Sequence, residues 1–217
     1  MHLTKEEIQQ TERIKRLNII NSITGIKPAN LIGTVSNDGK TNLAIFSSVI
    51  HLGSNPALIG FILRPDREAG QHTLDNIKEN GFYTINHIHE SFIEQAHYTS
   101  AKFGKEESEF DQCALTEEYV NGFKAPFVKE STLKLGMKIV QTIPIELNGT
   151  LMMIGEVEHA IIPDEAMDDQ GQIDLSQPND VGISGLNTYY RLEKIAQFPY
   201  ARPNALPDFS RENLPVD

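Results

Sequence analysis

Residues 30–86 constrain the fold most. They read NLIGTVSNDGKTNLAIFSSVIHLGSNPALIGFILRPDREAGQHTLDNIKENGFYTIN, four β-prone runs separated by turn chemistry. Residues 30–36 form the first strand. Asn37-Asp38-Gly39 predicts a hairpin, because Asp-Gly supplies the positive-φ geometry of a two-residue loop. A second strand covers 41–51, Ser54-Asn55-Pro56 is the next turn, and the continuous apolar run 57–63 reads as a strand buried on both faces. Residues 65–70 read as a loop. Thr73 is expected to N-cap a short helix that runs to Lys78 and closes at Asn80-Gly81. The fourth strand, 82–88, alternates Phe82, Thr84, Asn86 and Ile88 on one face with Tyr83, Ile85 and His87 on the other.

The flanks add a second β region and little helix. Thr4-Lys5-Glu6-Glu7 is a capping box and predicts a polar surface helix over 5–16. Helical turns are expected at 90–98 and near 108–111. Residues 133–147 and 151–161 read as two long strands joined at Asn148-Gly149, with Pro144 marking an edge or a bulge. Residues 164–180 hold six carboxylates and no Lys or Arg, the composition of a solvated loop. A short helix is expected at 186–196. Pro199, Pro203, Pro207 and Pro215 make the tail extended, suited to wrapping a neighbour. Six or more strands with hairpin and short-helix connections favour a small antiparallel β-barrel. The domain organisation expected is an N-terminal helical extension at 1–28, the barrel at 29–163, and an acidic loop with C-terminal extension at 164–217. That last segment packs on the barrel or on a dimer mate.

Composition narrows the partners. At 217 residues and 39% hydrophobic the chain can hide roughly 70% of its unfolded surface. Thirty acids against 19 bases give a net charge of −11. That disfavours nonspecific nucleic-acid binding, which relies on Lys and Arg to release counterions, and disfavours anionic membrane surfaces. The lone Cys113 can form neither an intrachain disulfide nor a Cys-rich metal site, and it fits a reducing cytoplasm. The charged N-terminus shows no apolar signal core, and no run approaches ~18 apolar residues.

The usual nucleotide motifs are missing. No G-x-G-x-x-G, no P-loop and no G-x-S-x-G elbow occurs. His87, His89 and His97 form a loose imidazole group without the ligand spacing of a closed metal site, so local hydrogen bonding is the preferred reading and no metal is assigned. The polar residues of 42–76 carry more information. Strand parity puts Ser48 on the face of Asn42, Ala44 and Phe46, and Ser47 on the face of Leu43 and Ile45. The two serines can share a ligand only through a bulge or a backbone N–H. Arg64 ends an apolar strand and requires an anionic partner if buried there. A helix start at Thr73 would also favour an anion. A phosphate held between the serines, Arg64 and Thr73 satisfies all of these. An internal ion pair from Arg64 to Asp66 or Glu68, with Thr73 as a plain cap, satisfies them equally well from spacing alone.

In order, Asn42-Leu43-Ala44-Ile45-Phe46-Ser47, Leu63-Arg64-Pro65, His72-Thr73 with Asn76-Ile77, and Phe82-Tyr83-Thr84-Ile85-Asn86 resemble the flavin reductase-like family of FMN-binding split barrels. Ser108-Glu109-Phe110-Asp111 is similar to the family's following Glu-Phe element. Gly185-Leu186-Asn187-Thr188-Tyr189-Tyr190-Arg191 is similar to a C-terminal element of one branch. Gln71 departs from the pattern, standing where many relatives carry a basic residue.

The resemblance implies a mainly β, antiparallel Greek-key split barrel and a homodimer with FMN near the subunit interface. It places Asn42, Ile45, Phe46, Ser47 and Ser48 along the flavin and its ribityl chain. It places Arg64, His72, Thr73 and Asn76 at the phosphate, and Ser100 and Lys102 at the ring or its edge. Tyr189 and Tyr190 either stack on the ligand or pack in the core. Because a flavin carries its own redox chemistry, no catalytic side chain is nominated. The activity implied is an NAD(P)H-dependent flavin reductase, with NAD(P)H as co-substrate and a monooxygenase as a possible partner. The alternatives are an FMN electron-transfer protein that does not use NAD(P)H, and a non-enzymatic barrel with an internally paired Arg64.

Overall fold

The computed structural model describes residues 1–64, 68–104 and 106–209. The elements run α1 (Lys5–Gln10), α2 (Arg13–Ser22), β1 (Lys27–Pro28), β2 (Asn30–Val35), β3 (Thr41–Phe46), β4 (Ile50–Ser54), β5 (Ala57–Leu63), α3 (Glu68–Asn80) and β6 (Phe82–His87). They continue with α4 (Ile93–Tyr98), α5 (Glu109–Gln112), β7 (Glu117–Glu118), β8 (Phe127–Val128), β9 (Lys134–Ile145), β10 (Thr150–Ile161), β11 (Val181–Ser184) and β12 (Thr188–Arg191).

The main sheet has the order β3-β2-β6-β9-β10-β5-β4, with every pair antiparallel. β3 and β4 follow each other in sequence yet lie at opposite edges. Only Ser47, Ser48 and Val49 join them. From Phe46 to Ile50 an extended chain spans at most ~14 Å, so the two edges must come together and the sheet must curl into a barrel. No β3–β4 ladder closes the seam. The fold is therefore a split barrel.

Two apolar clusters sandwich the sheet. Inside the barrel lie Ile32, Phe61, Leu63, Tyr83, Ile85, Met137 and Met153, plugged at one end by Leu74 and Ile77 of α3. Phe61 meets Phe46 and Tyr83 edge-on, at 5.1 and 5.5 Å between centroids. Full burial of a side chain of this size contributes about 1.5–3 kcal/mol. Gly155 permits that packing, since a Cβ there would fall 2.2 Å from the Tyr83 hydroxyl. Outside, Leu31, Leu43, Ile88, Phe92, Phe110 and Ile183 pack the sheet against α4, α5 and β11. Strand parity over 82–88 holds: Tyr83 and Ile85 face inward, while Thr84 and Asn86 bond outward to the 126–128 segment. Pro144 lies where β9 has outrun β6 and pairs with β10 alone, an edge as expected.

Several local expectations are corrected. The Asn37-Asp38-Gly39 hairpin is a three-residue loop closed by Ser36 N–H donating to Lys40 O, with Gly39 alone at positive φ (87°). The capping box at Thr4 is present, but its helix stops at Gln10. There Thr11 Oγ1 donates to Glu7 O, and the Glu12 carboxylate caps a new helix by accepting from Ile14 and Lys15 N–H. The strand expected over 41–51 breaks at Ser47. Residues 186–196 are not helical: β11 and β12 form a hairpin around Gly185 (φ +64°), paired to β1, and Thr188, Tyr189 and Tyr190 take the extended backbone their side chains favour. Helix α3 begins at Glu68, so Thr73 is an interior residue and not an N-cap. Gly70 and the polar run before it read as a loop, but burial of Leu74 and Ile77 in the barrel mouth outweighs that local preference.

Candidate functional site

The seam between the barrel edges opens a cavity of about 460 Å³. Ala44 to Ser48 form one wall, as β3 ends and the chain bends across the seam. Ile62 and Arg64 of the β5 end form the opposite wall. His97, Thr99 and Ser100 approach from the end of α4, Ile183, Leu186 and Asn187 from the β11–β12 hairpin, and Asn21 from α2.

The serines differ in the way parity demands. Ser48 Oγ donates to Ile62 O and accepts from Ile62 N–H, both at 3.1 Å. It continues the β4–β5 register, in which Ile50 faces Gly60, by a side chain in place of a ladder residue, and that leaves mainly its backbone for a ligand. Ser47 stands in the bend, half-buried, and no described residue hydrogen-bonds its hydroxyl. Phe46 packs on Phe61 beneath them. Arg64 follows the buried Leu63 but is itself exposed at the cavity rim, so the expectation of a buried arginine is corrected. Its proposed ion pair to Asp66 or Glu68 lies outside the described side chains.

The α4 wall is polar and tied down. Thr99 Oγ1 donates to Ala96 O and Ser100 Oγ to His97 O. His97 Nδ1 is 3.1 Å from the Tyr189 hydroxyl. Burial pushes the Tyr189 phenol up to about 12, which keeps it neutral. Tyr189 packs edge-on against His97, 5.9 Å between centroids, while Tyr190 is exposed.

Not every nominated residue reaches this cavity. Ile45, Phe46, Ser47, Ser48, Arg64 and Ser100 line it; Asn42, His72, Thr73, Asn76 and Lys102 do not. Asn42, Thr73 and Asn76 join Thr34 in a buried polar group inside the α3-plugged end. Asn42 Nδ2 donates to Thr73 Oγ1 (3.1 Å) and Thr34 Oγ1 (3.4 Å), and Asn76 Nδ2 donates to Thr34 Oγ1 (3.1 Å). Gln71 donates to Asp75 at 2.6 Å. His72 is half-buried on α3 and Lys102 is exposed. The two remaining imidazoles of the 87–97 group are occupied locally: His87 with Asp180 (2.8 Å) and His89 with Ser91 (2.8 Å). Among the described residues no group of three or more His, Cys, Asp or Glu could hold a metal.

Asn21, His97, Ile183, Leu186 and Asn187 were not nominated from sequence. The 185–191 element and the imidazole count drew attention to Asn187 and His97, but only the fold brings them to the seam. Glu109, in the Glu-Phe element, accepts from Leu43 N–H at 2.9 Å and so pins the free edge of β3. Burial raises its carboxyl above the ordinary range, against the lowering effect of backbone N–H donors including that of Leu43.

The chain is thus a split barrel whose seam holds an apolar-walled cavity bounded by a serine bend and an arginine rim. The chain belongs to the flavin reductase like domain family, which matches residues 26–175. That places it among flavin-related oxidoreductases. It is similar to the candidate flavin reductase with split barrel domain from Shewanella frigidimarina NCIMB 400, with 50% identity and TM-score 0.89 over 93% of this chain and 100% of that one. Nitrilotriacetate monooxygenase component B from Bacillus cereus shares the fold at 18% identity and TM-score 0.79, over 91% of this chain and 98% of its own. The flavoredoxin of Desulfovibrio vulgaris (Miyazaki F) shares it at 22% and TM-score 0.70, over 81% and 92%. Among the described residues no helix is long and apolar enough to cross a membrane.

Proposed function

We propose that this protein is an FMN-binding, NAD(P)H-dependent flavin reductase. The observation that carries the reading is the seam cavity. It has the size of a cofactor site and joins apolar walls to a few convergent polar groups. Ala44, Ile45, Phe46 and Ile62 suit a flat hydrophobic ring. The Ser47–Ser48 backbone, the Ser47 hydroxyl and the Arg64 guanidinium suit a phosphate. Ser100, Asn21 and Asn187 offer hydrogen bonds to a polar ring edge. Bound FMN would supply hydride acceptance and donation; the protein supplies orientation and exclusion of water.

Asn42, Thr73 and Asn76 act behind this wall, setting the position of β3 against α3. His72, on α3, and Lys102, beyond the end of α4, lie outside the cavity lining. With no dinucleotide fingerprint in the chain, the nicotinamide would meet the flavin face in the open part of the cavity. A homodimer completes the site, and a monooxygenase is a fitting consumer of reduced flavin, as the name of the component B relative suggests. The three-part organisation at 1–28, 29–163 and 164–217 and a reducing, cytoplasmic setting belong to the same reading; Cys113 is free and buried.

A second reading, electron exchange with a protein partner and no direct use of NAD(P)H, draws on the net charge of −11, which suits electrostatic docking. Anaerobic mixing of the FMN-loaded protein with NADH and NADPH separates the two. Bleaching of the flavin band near ~450 nm by either nucleotide is the expected result. A band stable to both nucleotides but reduced by a protein donor would replace the first reading with the second.

A further inference from the structure

The C-terminal strap is apolar and uncovered. Ile195, Phe198, Tyr200, Leu206 and Phe209 are 64–94% exposed, five large side chains in a stretch of little regular structure. Pro199 and Pro207 keep the stretch extended on either side of one short 3-10 turn at Pro203–Ala205, and the three prolines bar it from a regular β-ladder. The same chain carries an uncovered apolar sheet face. On the outer side of β4, β5, β10 and β9, Ile50, Leu52, Ile62, Met152 and Ile143 share one surface around the buried Ile154, as the cross-strand register requires. Ile50, Leu52 and Ile143 are 38–45% exposed there, and Leu52 lies over Gly60. Ile62 belongs both to this face and to the seam cavity, so whatever covers the face borders the site.

Charge selects the occupant. Two copies of a chain at −11 repel each other except through neutral surface. The strap from Phe198 to Phe209 holds one Arg and one Asp, a net charge of zero. Residues 139–145 and 50–54 hold no Lys, Arg, Asp or Glu. These are two neutral apolar surfaces on an otherwise acidic molecule, one a pre-extended strap and the other a sheet face. Burying three aromatic rings per strap removes roughly 450–750 Å² from water. Doubled by twofold symmetry and counted with the surface covered, that reaches the ~1,600 Å² of a standard stable interface. An extended, proline-stiffened segment also loses little entropy on docking.

We propose that the strap of one copy docks across the outer β4-β5-β10-β9 face of a second copy, so that each seam cavity is bordered by its partner's C-terminal residues. This rests on the two-copy assembly proposed above and not on its redox chemistry.

Two measurements on the full-length chain test it. In the first, chains carrying the photo-crosslinker p-benzoylphenylalanine in place of Tyr200 are mixed with isotope-labelled wild-type chains, irradiated and mapped by mass spectrometry. Crosslinks from unlabelled strap to labelled peptides of β4, β5, β9 or β10 are expected. Crosslinks confined to the chain's own peptides, or to other regions of the labelled chain, overturn the proposal. In the second, the triple variant Phe198→Ser, Tyr200→Ser, Phe209→Ser and the separate variant Ile143→Lys are compared with wild type by sedimentation. Each should weaken the dimer at least ~100-fold, the scale of losing buried aromatic anchors. Melting at high dilution should stay unchanged, showing that the barrel still folds. A triple variant that dimerises as tightly as wild type removes the strap from the interface, while a wild type that is monomeric throughout removes the dimer itself. FMN titration of the same samples reports separately on the flavin site.

Discussion

The two ends of β3 hold polar side chains in opposite circumstances. At the Asn42 end, the amide meets Thr34, Thr73 and, through Thr34, Asn76, inside the barrel and under the α3 plug. The amide nitrogens and hydroxyls there answer one another, while Asn42 Oδ1 is buried without a partner. At the Ser47 end, five residues on, the strand has run out of partners and its polar groups face a cavity with Arg64 across the seam. A polar residue in this barrel is therefore a packing device where its neighbours are protein, and it is left open to a cavity where the sheet is split. The backbone explains the division. Between Phe46 and Ile50 the chain must cross from one sheet edge to the other, and Ser48 spends its hydroxyl on Ile62 to hold the edges in place.

Substitutions at the two ends should separate stability from ligand affinity. The largest effect on folding is expected at Thr34→Val. It strips the acceptor shared by two buried amides and should cost about 2–4 kcal/mol in chemical denaturation. FMN affinity of the folded fraction should change little. Arg64→Ala should do the reverse. Losing a charge-assisted contact should raise the FMN dissociation constant by roughly 10- to 100-fold, while an exposed rim residue leaves the melting temperature within about a degree of wild type. Ser48→Ala lies between them. Both bonds to Ile62 vanish, so a loss of about 1–2 kcal/mol should accompany a several-fold weaker FMN complex in the same titration.

The smallest effect tests the pin on β3. Burial raises the Glu109 carboxyl. The folded protein therefore holds the proton more tightly than the unfolded chain, and Glu109 favours folding at acid pH. That contribution is fully present below the unfolded value and is lost as pH rises through the folded one. Glu109→Gln keeps an acceptor for Leu43 N–H without the buried charge. It should melt slightly above wild type at pH 7, with the gap closing as pH falls past the ordinary glutamate range. A gap that widens on acidification contradicts this account.

Much of the barrel was legible because its signals are local. Asn37-Asp38-Gly39, Asn148-Gly149 and the alternation at 82–88 each mark a hairpin or a strand face in a few residues, and the structure keeps them. The motif order from Asn42 to Asn86 pointed to the family in the same way. What escaped the sequence is non-local. Thr73 looks like a cap until Leu74 and Ile77 are seen filling the barrel mouth. Residues 41–51 look like one strand until the seam requires a bend at Ser47. The 186–196 segment reads as a helix until β1 and β11 offer it a sheet. Asn21 and His97 join Ser47 only through the tertiary fold, and no spacing in the chain announces that meeting.

The seam cavity, and not the polar group under α3, is the proposed seat of the flavin phosphate. Titrating FMN into apoprotein by fluorescence quenching, side by side for wild type, Arg64→Ala and Thr34→Val, tests it most directly. Expected are saturable binding of one FMN per chain in wild type, near-wild-type affinity for folded Thr34→Val, and a loss of roughly 10- to 100-fold for Arg64→Ala. Absence of binding in wild type, or an Arg64→Ala curve that overlays wild type while Thr34→Val abolishes binding, would contradict it.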